Sequence, residues 1–281
     1  MTAQWVQLRD GGTLVASRRG AWIQSPQAAA LELWGSMPPS QSGALETTRH
    51  LLEGAMAAGE RDAGAAAGHW PPATSTWALD LVDQWYTAHH SVALLPVAIE
   101  RYESMGRPEL ARFARRKLEE EAGHDRMPLS DLGALGYDAQ AAVREVPPGP
   151  TASALVRYAG DCIEASEPVA FLGYIFVLER RVIRITDDAL RKLESALPCG
   201  ADGTSGVRAH AVQFDHQHVE ELVAFVSGLP ADDRTAVALA CFDTAALISK
   251  AVPADSVHER EHRLARAHKS TIQTTEPRSK S

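Results

Sequence analysis

Leu110, Phe113, Ala114 and Leu118 recur at the spacing of one helix face, and the next turn of that face lands on Glu121 and then on His124 or Asp125. A carboxylate and an imidazole therefore stand where the pattern calls for apolar core residues. Groups buried in this way need an opposite charge, a shifted pKa or a metal ion. Residues three apart on a helix lie about 60° from one another, so Glu121 and His124 can close on a single ion.

The same conflict appears in two further stretches. From Pro168 to about Leu197 the stripe Leu172, Ile175, Glu179, Val182 puts Glu179 where a leucine is expected. From Val207 to Val226 the stripe Val207, Ala211, Phe214, His218, Leu222, Phe225 has His218 at its centre, with Asp215 three residues earlier. Each has an ordinary reading when taken alone. Glu179 can pair with Arg180, Arg181 or Arg184, and a Glu-x-x-His or Asp-x-x-His pair can simply share a hydrogen bond. Together, carboxylates and imidazoles from facing helices are the materials of carboxylate-bridged di-iron and di-manganese centres.

The rest of the chain supplies a helical frame. Trp77, Leu81, Trp85, Ala88, Val92, Leu95, Ile99 and Tyr102 form one long stripe, with Pro96 as a point of bending, and Met105 to Pro108 ends it. Further helices are predicted from Thr151 to about Ala165 and from Asp233 to Val252, the latter capped at Leu229 to Asp232. Before Trp77, Gln4 to Ser17 reads as a small hairpin around Asp10-Gly11-Gly12. Helical patterns follow over Gln27 to Trp34 and Ala44 to Ala58, then a break over Ala63 to Thr76. The expectation is an all-α bundle over 76–252, preceded by an extension over 1–75 and followed by a polar tail over 253–281, its last stretch disordered.

Charge and cysteine usage narrow the function classes. Acidic residues outnumber basic ones by 36 to 28, a formal charge of −8, which disfavours a general nucleic-acid or anionic-membrane surface. Cys162, Cys199 and Cys241 show no CxxC spacing, and an odd count argues against a disulfide framework. With no leader-like N-terminus and no apolar run of membrane-spanning length, a cytoplasmic chain acting on a small molecule is expected, partnered at most by a second copy of itself. Cys162 reads as a small buried hydrophobe and Tyr174 as an ordinary half-buried tyrosine near the cavity.

Three strings, EEEAGHDRMPLSDLGALG (Glu119 to Gly136), EPVAFLGYIFVLE (Glu167 to Glu179) and HAVQFDHQHVEEL (His210 to Leu222), resemble the haem-oxygenase-like iron-containing oxidases, over roughly Trp77 to Val252. The resemblance implies a TenA/PqqC-type helical fold binding two non-haem Fe(II) ions, with dioxygen as co-substrate. It implies Glu121 and His124 as ligands from one core helix, Glu179 from the next, and Asp215 and His218 from the last. Two positions depart from the family pattern. A His usually stands four residues before the Asp, where this chain has Ala211, and His210 can join only through a π-type bulge. A Glu usually comes from the first core helix, about where this chain has His89 and His90, of which His89 lies nearer the stripe. The implied activity is oxidation of a small organic substrate, amino-acid-like or an amine, by N-oxygenation or oxidative C–C cleavage, in a biosynthetic pathway. A metal-free catalyst of the thiaminase or PqqC type and a non-catalytic helical binding protein are the competing readings.

His258 to His268, HEREHRLARAH, fits the zinc-peptidase pattern HExxH. Ala265 replaces the Gly that would turn the chain back towards the metal, so a solvated, charge-paired tail helix is expected, and loss of everything after Val252 should be tolerated.

Overall fold

The computed structural model describes residues 3–24, 43–64, 70–210 and 215–268. The helix expected over Gln27 to Trp34 lies outside them. The N-terminal strands β1 (Gln4–Gln7), β2 (Thr13–Ser17) and β3 (Gly20–Gln24) form an antiparallel sheet in that order. The hairpin is thus joined by a third strand. Its turn, Arg18-Arg19, carries no glycine or asparagine at the two central positions, so the usual hairpin signal is missing. Trp5 and Trp22 flank Val15 in the sheet register, whereas Val6, Leu8, Leu14 and Ala16 reach into the helical core.

Helix α1 (Leu45–Asp62) lies under the sheet and against a late helix, α11 (Ala231–Ser249). Between them in sequence come α2 (Thr74–Ser104), α3 (Pro108–Glu121), α4 (Arg126–Ala134), α5 (Ala139–Glu145) and α6 (Pro150–Glu164). They are followed by α7 (Phe171–Val182), α8 (Asp187–Ala196), α9 (Ser205–Ala209) and α10 (Asp215–Ser227), and the chain closes with α12 (Ala254–Arg266). Glycine sets the closest approaches. A Cβ at Gly59 of α1 or Gly173 of α7 would run into the backbone of α11, so only glycine lets these helices meet there. No helix among the described residues is long and apolar enough to cross a membrane.

Two helices expected as continuous are broken, each for a local reason. The stretch holding Glu121 and His124 divides at Gly123, whose φ of 91° ends α3 and starts a tight turn. Pro168 to Leu197 divides at Thr186, whose side chain accepts a hydrogen bond from the Ala189 N–H and caps α8. Within Val207 to Val226 the described residues are the end of α9, a π-type turn at His210, and α10, and residues 211–214 between them lie outside the described residues.

The core crosses the borders expected at residues 75 and 252. One cluster joins sheet residues to α1, α3, α7 and α11, and a second joins Trp77, Leu81 and Leu132 to Leu264 of α12 and to Ala267 just after it. The tail helix is therefore not simply solvated. Leu264 is 1% exposed and Arg260 6%. Arg260 forms an ion pair with Asp83 of α2 (2.5 Å) and donates to the Pro147 carbonyl (2.9 Å). An amphipathic helix with one buried leucine and one buried arginine looks fully polar in sequence, which is why its docking face was missed.

Candidate functional site

Helices α2, α3, α6 and α7 surround a cavity of about 680 Å³. Ala88 and Val92 of the long sequence stripe face it, as do Ile175 and Leu178 of α7, so much of its wall is apolar. Tyr174 lines it with its ring fully buried and its hydroxyl 2.7 Å from that of Ser91, which fixes α7 against α2. Cys162, near Tyr158, is buried, and that burial pushes its thiol up to about 11.

The predicted carboxylates and imidazoles converge at one side of this cavity. Glu121 ends α3, and His124 sits in the turn after Gly123. They meet through that turn rather than along a helix face, with His124 Nδ1 2.8 Å from Glu121 Oε2. Glu179 of α7 is 8% exposed. Ligand atoms of Glu121, Glu179 and His218 all lie within 4.8 Å of one another. The His210 ring meets the His124 ring edge to face, with centroids 4.7 Å apart, so the π-type turn does bring it in. Burial alone would push the Glu121 carboxyl up, but the hydrogen bond and charge of His124, aided by Lys117 and His210, outweigh it and hold it low.

One predicted residue stands apart. His89 stacks on Trp85 and pairs with Asp125 (2.9 Å) at a half-exposed position outside the cavity. The cavity face of α2 runs through Gln84, Ala88, Val92 and Leu95, and one residue beyond Ala88 is about 100° off that line. Asp215 opens α10, and its side chain lies outside the described residues.

Sequence reasoning missed Lys117 and Glu120. Lys117 is 2% exposed, and its ammonium lies 2.9 Å from Glu179 and 2.8 Å from Glu120. Glu120 also lies 3.7 Å from His218 Nε2. Burial would lower the Lys117 pKa, yet the two carboxylates raise it, so it is a fixed cation. The stripe itself held the signal, since Leu110, Phe113, Ala114 continue as well to Lys117 as to Leu118.

The zinc-peptidase pattern builds no such site. His258 and His262 approach each other (3.0 Å), but Glu259 pairs with Arg263 and His268 packs on Tyr137. Among the described residues, the three-ligand cluster is the one at Glu121, Glu179 and His218.

No protein-family model matches this sequence, and no curated protein matches it. Solved structures share its architecture, two among them as follows. One is a domain of unknown function with a haem-oxygenase-like fold from Shewanella denitrificans, 20% identical, covering 79% of this chain and 93% of that one, with a TM-score of 0.57. The other is a TenA homologue from Pseudomonas syringae pv. tomato, 10% identical, covering 80% and 94%, with a TM-score of 0.50. The chain thus has a haem-oxygenase-like helical fold with a small N-terminal sheet.

Proposed function

We propose that this haem-oxygenase-like chain is a non-haem iron oxidase or oxygenase acting on a small organic substrate held in the cavity. The observation that carries the reading is the convergence of Glu121, Glu179 and His218 from three separate helices on one point. Two carboxylates and an imidazole suit ferrous iron and leave open positions around it. His124 and His210, with Asp215 at the start of α10, are the remaining donors for a second ion. The bound iron would supply the electrons that activate dioxygen. The protein's own part is to fix these donors and keep the substrate in a largely apolar space. Glu121 orients the His124 ring, and the Ser91–Tyr174 hydrogen bond holds the wall.

One observation favours a second reading. Lys117 already neutralises Glu179, so the cluster can exist without metal, as a metal-free acid–base catalyst of the thiaminase type requires. Iron content separates the two. In a background with His258 and His262 changed to alanine, protein loaded anaerobically with ferrous iron should retain about two ions per chain. His124→Ala and His218→Ala should each lose iron and the oxygen uptake that follows mixing with aerated buffer. Equal, negligible iron in all three would sink the oxidase reading.

A further inference from the structure

The histidines of the HExxH string build no peptidase, yet two of them converge. His258 and His262 lie one turn apart on α12, about 40° from each other, and both are exposed. Their Nε2 atoms are 3.0 Å apart, with the rings inclined at 77°. Two imidazole nitrogens bound at about 2.0–2.1 Å to one ion stand about 2.9 Å apart at a right angle and about 3.3 Å apart at the tetrahedral angle. The pair therefore already has the bite of a chelate. A hydrogen bond between the rings holds the same distance with one lone pair, whereas an ion would take both.

The surroundings suit a two-histidine site completed by water. Glu259 pairs with Arg263 (2.8 Å), and Glu261 accepts from the Ser75 hydroxyl (2.8 Å), so neither closes on the imidazoles. Asp255 lies one turn before His258 and about 60° from it, which adds negative charge on the same side. Donor type separates this place from the cavity cluster. An imidazole pair favours copper, nickel and zinc over ferrous and manganous ions, whereas the carboxylate-rich set of Glu121, Glu179 and His218 suits the latter.

Position on α12 links the pair to the latch. Arg260 stands two residues from each histidine, about 160° away, and is buried on the other side of the same turn. There it holds Asp83 (2.5 Å) and the Pro147 carbonyl (2.9 Å), and Asp83 is part of the cavity wall. An ion spanning His258 and His262 binds only the formed turn, so it stabilises that turn and the arginine it carries.

We propose that His258 and His262 form a second metal site, a clip for divalent copper, nickel or zinc, whose occupancy holds α12 closed over Asp83. The clip does not depend on iron in the cavity. The test is calorimetric titration of the full chain with Ni(II) for wild type, His258→Ala and His262→Ala, together with amide hydrogen exchange of α12 with and without Ni(II). Both side chains are exposed, so the variants should unfold at the wild-type midpoint when no metal is present.

Wild type should bind one more Ni(II) per chain than either variant, and titration with Mn(II) should show no such difference. Ni(II) should slow exchange from His258 to Arg266 about threefold or more in wild type and leave it unchanged in both variants. Equal stoichiometry in all three proteins, a difference that emerges only above about 1 mM Ni(II), or exchange that ignores the ion would overturn the clip. His124→Ala and His218→Ala, which should remove iron from the cavity, should leave this ion in place, so the two sites stand or fall separately.

Discussion

The cavity has two charged regions, and they are built on opposite rules. At the Glu121–Glu179 side each described charge has a protein partner: Lys117 serves Glu179 and Glu120, and His124 serves Glu121. At the Asp80–Arg181 side, opposite charges face the cavity without closing on each other. The first region is settled before any ligand arrives, so changes there should be felt in folding. The second is left unsettled and open to solvent, so changes there should be felt only slightly, or favourably, in folding. This division is open to attack from both sides.

The largest effect is expected from Lys117→Met. Removing the ammonium leaves Glu179 buried beside Glu120 and Glu121, and breaking a buried pair in this way should cost the metal-free protein about 3 kcal/mol in denaturant unfolding. Ferrous or manganous ions should restore more stability to this variant than to the wild type, since a metal can take over the lost charge. An unfolding midpoint equal to wild type would show that Lys117 is not the settled partner of this region.

Arg260→Ala tests the border between the regions, where α12 latches onto Asp83. Asp83 keeps some contact with solvent, so the loss should be smaller, about 2 kcal/mol. Loss of everything after Val252 should cost more, because the burial of Leu264 and Ala267 goes with it. Tolerance of that truncation would mean that the latch contributes nothing.

The smallest effect, and of opposite sign, is expected from Asp80→Asn. Burial and the nearby Asp83 lift the Asp80 pKa from 3.8 to about 6, although Arg260 and Arg181 pull the other way. Ionised Asp80 therefore weighs against the fold above about pH 6 and stops doing so once both folded and unfolded forms are protonated, below about pH 4. Asp80 is exposed, so solvent screens much of this penalty: the variant should melt only about a degree higher than wild type at pH 8, and the gain should vanish towards pH 4. A variant less stable than wild type at pH 8 would mean that Asp80 has a stabilising partner in the protein, which would remove the contrast between the two regions.

Much of the candidate site was legible because its residues violate a period. Glu121, Glu179 and His218 fall where apolar residues are due, and that misfit is visible without knowing where the helices lie. His210 was legible only conditionally, since a straight helix turns it away and a π-type turn brings it to His124. Lys117 was not singled out, because a long aliphatic stem lets lysine end a stripe without breaking it. His89 was placed by analogy and not by the cavity face of α2, and it pairs with Asp125 instead.

The sequence by itself determined the helical class, the long stripe of α2 and the three helices that contribute to the cluster, because amphipathic periodicity is local and survives in any window of a few turns. It also held the break at Gly123, but not its consequence. Only the tertiary structure decided that a turn brings His124 back to Glu121, that Lys117 stands between Glu179 and Glu120, and that α12 closes over Asp83. It alone set apart Asp80 and Arg181, since whether a charge is paired depends on side chains far away in the chain. Periodicity reports which face of a helix is buried, and packing decides what that face meets.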